Sequence, residues 1–299
     1  MSAKNVAVIG LGSMGYGIAQ SALRGGHKVW GRDVVEATTA KFIAEGGQAS
    51  LPDYADIDVA VLVVLNAAQT EDVLFGQNGI AAQMRKGATV IACATVPPEF
   101  ARDMEARAQS LGLHYLDAPI SGGAVKAANG ALSVMASGSA DAFEGAKDVM
   151  DSIAETVFPL GDEAGAGSAM KAVNQMLAGV HIAAMAEAIT FGMTQGVSPT
   201  SFIDVISKCA GTSWMLENRA PHIADGDYTP RSSVNIWPKD LGIVLDIADQ
   251  ADFDAPITKT ALAQYAKAVE AGLGLEDDAA VAKVYAAQAG LSLPKGTPS

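Results

Sequence analysis

Three glycines spaced i, i+2 and i+5, directly after a short β-rich apolar run, constrain the fold of this chain more than any other feature. The segment "NVAVIGLGSMGYGIAQSALRGGHKVWGRD" sets Gly10, Gly12 and Gly15 between a strand pattern and an amphipathic helix that stops at Gly25 and Gly26. Each glycine has its own task in such a turn: Gly10 permits the tight bend, Gly12 lets a diphosphate approach the backbone, and Gly15 lets helix and strand close on each other. The N-terminus of the helix then faces the anion. The alternative is a plain glycine-rich βα turn. A lone glycine motif is weak, but here a strand precedes it, a helix follows it, and a second strand ends in an acid.

That acid, Asp33, lies 18 residues beyond Gly15, where a carboxylate accepts hydrogen bonds from the ribose hydroxyls of NAD and repels the 2′-phosphate of NADP. Arg32 is the residue an NADP enzyme would want, yet alternation along a strand points it to the opposite face. The expected cofactor is therefore NAD, with Leu11, Ser13 and Met14 completing the binding turn. Ligands in open α/β sheets lie outside the carboxyl ends of the strands, so the ends "VVLNAAQ" and "CATVPPE" add Leu65, Asn66 and Thr95. Asn66 has a second reading as the cap of the helix that follows it.

From Asn5 to about Leu160, strand patterns alternate with helical ones, which predicts βαβ units on a parallel sheet. The expected strands are "NVAVIGL", "HKVWGRD", "VAVLVVLN", "ATVIACAT", "HYLDAPI", "LSVMASG" and "ETVFPLG". After Gly165 only helical patterns remain, interrupted at "GVSP", "DGDYTP" and "ADFDAP". The expected architecture is a Rossmann-type α/β domain over residues 1–163 and an all-α domain over residues 164–299. At 299 residues the chain is long enough for two cores. The closing stretch "LSLPKGTPS" reads as a frayed tail.

Composition narrows the partners. Lys and Arg number 20 against 33 Asp and Glu, and no basic run supplies the footprint of nucleic acid binding. Cys93 and Cys209 sit in apolar segments without a CxxC pair or a His/Cys cluster, so buried free thiols are expected and no metal site. The apolar stretches are broken by charge or glycine and no signal-type segment opens the chain, which predicts a cytoplasmic protein without a membrane span.

An acidic protein that binds a small anion must place its cations individually. "GAGSAMKAVNQMLAGVHIAAMAEAITFG" reads as one long apolar helix from Gly165, with Lys171 in its first turn, where a cation opposes the macrodipole. Asn174 and Gln175 follow at i+3 and i+4, so an ammonium and two amides share one face. A lysine desolvated there loses pKa and can exchange a proton with an alcohol; the alternative is a snorkelling lysine. In "LDAPISGG", Ser121, Gly122 and Gly123 offer a hydroxyl and close-approach N–H groups suited to a carboxylate, or form a tight turn. Asp117 orients that loop or caps it.

"GLGSMG", "DAPISGG", "GAGSAMKAVNQ" and "WPKDLGIVLD" resemble, in order and spacing, the β-hydroxyacid dehydrogenases, the family of 3-hydroxyisobutyrate dehydrogenase and tartronate semialdehyde reductase. The resemblance runs from end to end and implies a 6-phosphogluconate dehydrogenase-like pair of domains, with a substrate cleft between them and the helical domain contributing to homodimer or homotetramer contacts. It implies Lys171 as catalytic residue, Ser121, Gly122 and Gly123 at the substrate carboxylate, and Thr95 and Lys239 at the cofactor. Asn174 and Gln175 stand for the substrate-binding amide; the family usually carries asparagine four residues after the lysine, where Gln175 stands here. Lys239 has an alternative as a surface partner of Asp240. Finer wording, "VVLNAAQTEDVLFGQNGIA" and "GTSWMLENR", resembles the branch that oxidises L-threonate to 2-oxo-tetronate. The alternatives are 3-hydroxyisobutyrate oxidation, tartronate semialdehyde reduction and a non-catalytic dinucleotide-binding scaffold.

Overall fold

The computed structural model describes residues 2–50 and 53–296. The chain divides into two compact units, Met1–Lys171 and Ala172–Ser299.

In the first unit, β1 (Asn5–Ile9), β2 (Lys28–Arg32), β3 (Val59–Leu62), β4 (Thr89–Ala92) and β5 (His114–Asp117) form a parallel sheet in the order β2-β1-β3-β4-β5. Its central strands are buried on both faces, which is why they read as continuous apolar runs. Side chains alternate between two cores: Val6 and Val8 pack on one face with Ile18 of α1 (Gly15–Arg24), Phe42 of α2 (Glu36–Ala44), Ala127 of α5 (Gly123–Ala128) and Val149 of α6 (Ala140–Ile153). Ala7 packs on the other with Leu74 of α3 (Ala67–Phe75) and Met104 of α4 (Pro98–Ser110).

The expectation of one parallel sheet needs correction. After β5 the run is broken at Pro119, which has no N–H to donate, and β6 (Ile120–Ser121) pairs antiparallel with β7 (Leu132–Ala136). β7 in turn pairs parallel with β8 (Ala154–Pro159), giving a separate three-stranded sheet. A single bridge, Asp117 to Ser137, links β5 to the end of β7.

α7 (Ala166–Thr194) begins in the first unit and runs into the second. Gly165, at φ +107°, stands just outside it, so Lys171 lies in the second turn and not in the first, further from the positive end of the macrodipole. At 29 residues and a mean hydropathy of 1.5, α7 is long and apolar enough to cross a membrane by length and composition.

The second unit continues with α8 (Pro199–Ile206), α9 (Trp214–Asp225), α10 (Ile236–Gln250), α11 (Pro256–Glu270) and α12 (Ala282–Gln288). Its core gathers Ile182, Met185 and Ile189 of α7 around Trp237, Leu241 and Tyr265. Two expectations are overturned here. Cys209 is exposed, because it falls in the turn after α8 and not on that helix's apolar face, whereas Cys93 is buried as expected. The tail is docked as far as it is described: a Cβ on Gly226 would lie 2.3 Å from the Gly296 nitrogen, and Leu293 packs on the core. Residues 297–299 lie outside the described residues.

Candidate active site

The glycine turn follows β1, and each glycine is required by a different neighbour. Gly10 adopts φ +93°, and a Cβ there would meet the Val63 carbonyl oxygen at 2.4 Å. A Cβ on Gly15 would come within 1.9 Å of the Gly10 oxygen, so α1 can close on the turn only with glycine at its first position. Gly12 has no protein atom within 4 Å of such a Cβ. The fold itself asks for no glycine at Gly12, whose open backbone leaves room for a group to approach, and the turn fits a dinucleotide diphosphate.

Asp33 follows β2, and its Oδ2 accepts the Leu11 N–H at 2.7 Å while Oδ1 accepts the Val35 N–H at 2.8 Å. The carboxylate thus stands over the glycine turn. Arg32 turns elsewhere, donating to the Ser50 carbonyl at 2.6 Å. Ser13 and Met14 lie between the turn and α1. Leu65 is exposed after β3, its N–H donating to Gln69 Oε1 at 2.8 Å. Asn66 caps α3, its Oδ1 accepting the Gln69 N–H at 2.9 Å. Thr95 is half-buried after β4.

Lys171 is buried, and its Nζ donates to the Ile120 carbonyl at 2.9 Å. That carbonyl immediately precedes Ser121, the last residue of β6, so the amine is held just before the turn at Gly122 and the helix that Gly123 opens. Both glycines adopt the left-handed region, at φ +135° and +73°. The structure therefore brings Lys171 to Ile120, 51 residues earlier and directly before Ser121, Gly122 and Gly123.

Asp117 is a residue whose task the sequence reading missed. Its carboxylate neither orients nor caps the 121–123 loop; it reaches forward to the start of α7. Oδ2 accepts the N–H groups of Gly165 at 2.9 Å and Ser168 at 2.8 Å, and Oδ1 accepts the Ser168 hydroxyl at 2.7 Å. Burial pushes its pKa up, and the hydrogen bonds from Ser168, Gly165 and Ser137 pull against that rise. Nearby, Glu105 accepts the Ala164 N–H at 3.0 Å; burial pushes its pKa up as well. Burial also raises the Cys93 thiol to about 12, which leaves it inert.

In the second unit, Gln175 is buried and engaged at both ends of its amide. Its Nε2 donates to Asp240 Oδ2, and its Oε1 accepts from Asn174 Nδ2 at 2.9 Å. Lys239, partly exposed, pairs with Asp240 Oδ1, the partner its alternative reading names, although Asp240 itself is buried. Among the described residues no cluster of His, Cys, Asp and Glu could hold a metal ion.

Comparisons with known proteins identify relatives over nearly the whole chain. Residues 5–161 match the family described as the NAD binding domain of 6-phosphogluconate dehydrogenase. Residues 165–285 match the family described as NAD-binding of NADP-dependent 3-hydroxyisobutyrate dehydrogenase. The chain is 49% identical over 295 residues to L-threonate dehydrogenase of Cupriavidus necator, covering 97% of this chain and 98% of that one. It is 43% identical over 295 residues to L-threonate dehydrogenase of Escherichia coli K12, covering 97% and 96%. A crystal structure of 3-hydroxyisobutyrate dehydrogenase from Salmonella typhimurium superposes with a TM-score of 0.89 at 46% identity, covering 94% of this chain and 99% of that one.

Proposed function

The chain belongs to the 3-hydroxyisobutyrate dehydrogenase-like family of β-hydroxyacid dehydrogenases, and from that membership we propose that it oxidises L-threonate at C2, with Lys171 as the proton acceptor. It is an NAD-dependent dehydrogenase acting on the CH–OH group of a short hydroxy acid. The substrate is supported by L-threonate dehydrogenases at 43% and 49% identity over nearly the whole chain.

Gly10, Leu11, Gly12, Ser13, Met14, Gly15 and Asp33 hold the cofactor in this reading, joined by Leu65, Asn66, Thr95 and Lys239. When bound, NAD supplies the acceptor for the hydride leaving the alcohol carbon. The protein's share of the chemistry is binding, orientation and one proton. Ser121 and the N–H groups of Gly122 and Gly123 take the substrate carboxylate, while Lys171, as the neutral amine, takes the hydroxyl proton as the carbonyl forms. In the reverse direction the ammonium returns it. Asn174 is the better candidate for the substrate-binding amide, because Gln175 is already committed to Asp240 and to Asn174 itself.

The observation that carries the reading is the buried Lys171 amine at Ile120, beside the 121–123 loop. Initial rates with L-threonate and NAD, 3-hydroxyisobutyrate and NAD, and tartronate semialdehyde and NADH test it. L-Threonate is expected to give the highest kcat/KM; a preference for either other substrate replaces the proposal. The 3-hydroxyisobutyrate reading is kept because the Salmonella structure bears that name at 46% identity.

A soluble, cytoplasmic homo-oligomer completes the proposal. Val173, Leu177 and Phe191 are exposed along α7, an apolar face that suits a second copy of the chain. Sedimentation equilibrium of the purified protein would show a dimer or tetramer; a monomer removes this part.

A further inference from the structure

We infer that Asp117 is the positioning residue for Lys171, an inference that rests on Lys171 being the proton acceptor. The segment 117–121 grips the start of α7 at two places. Three residues apart on that segment, the Asp117 carboxylate and the Ile120 carbonyl hold groups one helical turn apart, Ser168 and Lys171. A single cap leaves a helix able to rotate about its axis, and each residue of slippage turns a side chain by about 100°. Two fixed points one turn apart remove that freedom.

The Asp117 end is densely built. Its carboxylate, almost wholly buried, takes the Gly165 and Ser168 N–H groups and the Ser168 hydroxyl. Ser137 extends the grip: its hydroxyl oxygen accepts the Gly167 N–H at 2.9 Å and lies 3.3 Å from Asp117 Oδ2. Reciprocal backbone bonds of 3.0 and 2.8 Å tie Asp117 to Ser137. Gly167 lets the helix seat against these strand ends, since a Cβ there would fall 2.4 Å from the Met135 oxygen and 2.8 Å from the Asp117 oxygen. Each of these bonds joins one part of the protein to another. Their effect is to set the Cα of Lys171, and through it the amine, against the loop that begins at Ile120.

Replacement of Asp117 separates positioning from plain stability. In Asp117→Asn the amide oxygen can take the two N–H groups, and the Ser168 hydroxyl can turn to accept from the amide nitrogen. Asp117→Ala removes every one of these bonds. Measured well below each variant's melting temperature, Asp117→Ala should lose about a hundredfold in kcat, as a displacement near 1 Å does. Its KM and its NADH affinity should stay within about threefold of the parent. Asp117→Asn should recover kcat to within about fivefold of the parent. Ser168→Ala, which removes one bond of the set, serves if Asp117→Ala does not fold, and should show a smaller loss, also confined to kcat. An unchanged kcat in Asp117→Ala, or in Ser168→Ala where that variant stands in, overturns the inference. So does an equal loss in Asp117→Ala and Asp117→Asn, or a loss confined to KM. Lys171→Ala measured alongside separates the two ideas: full turnover there removes the proton-acceptor reading and this inference with it. Lost turnover there, with a normal Asp117→Ala, removes this inference alone.

Discussion

The Asp33 carboxylate closes the glycine turn by accepting the Leu11 N–H at 2.7 Å. One side chain thereby braces the glycine turn, and in the proposed function the same carboxylate faces the ribose and repels a 2′-phosphate. Asp33→Ala removes that charge. The ratio of kcat/KM for NAD over NADP should fall by about tenfold or more, since like charges brought together cost several kcal/mol. Arg32 does not offset the charge, because it is directed to the Ser50 carbonyl. An unaltered cofactor ratio contradicts the assignment of Asp33.

Gly12 and Gly15 separate a requirement of the ligand from a requirement of the fold. A methyl group on Gly15 meets the Gly10 oxygen at 1.9 Å, so Gly15→Ala should lower the melting temperature by several degrees, in line with overpacking costs of about 1–3 kcal/mol. Gly12→Ala meets no protein atom within 4 Å and should melt like the parent. Its NADH affinity should nevertheless drop by about tenfold or more, as the added methyl obstructs the diphosphate. Calorimetry and fluorescence titration of the two variants check this; Gly12→Ala with parental NADH affinity would show that the turn does not approach the cofactor.

The second unit carries its own pH dependence. Arg231 can only donate to His222 Nε2, which leaves the proton on Nδ1 to be donated to Asp277 at 2.8 Å. Burial pushes the Asp277 pKa up, but the hydrogen bonds from His222 and from the Arg231 and Ala279 N–H groups outweigh it, and the net shift is downward. A depressed folded pKa contributes stability above the unfolded value of about 3.9 and loses it as pH falls through the folded value. The gap in melting temperature between parent and Asp277→Asn should therefore be widest near neutrality and shrink below about pH 4. A gap that stays constant through that range contradicts the role of the Asp277 charge.

Periodicity and glycine spacing made the strands, the nucleotide turn and the long helix legible, because each depends on neighbours within a turn or a pleat. Ser121, Gly122, Gly123 and Lys171 were legible as separate sites, but their meeting at Ile120 depends on a tertiary contact across 51 residues. Asp117 illustrates the limit: its partners lie 48 and 51 residues ahead, and no local pattern points to them. The same holds for Gln175 and Asp240, 65 residues apart. Cys209 misled because an apolar run does not reveal where a helix ends.

The most direct measurement of the central claim is the turnover of Lys171→Ala with L-threonate and NAD, alongside its affinity for NADH. A general base contributes about 10²- to 10⁴-fold, so kcat should fall by that order while NADH binding stays at the parental level. Parental turnover in Lys171→Ala would contradict the account, because the buried amine at Ile120 would then take no part in removing the proton.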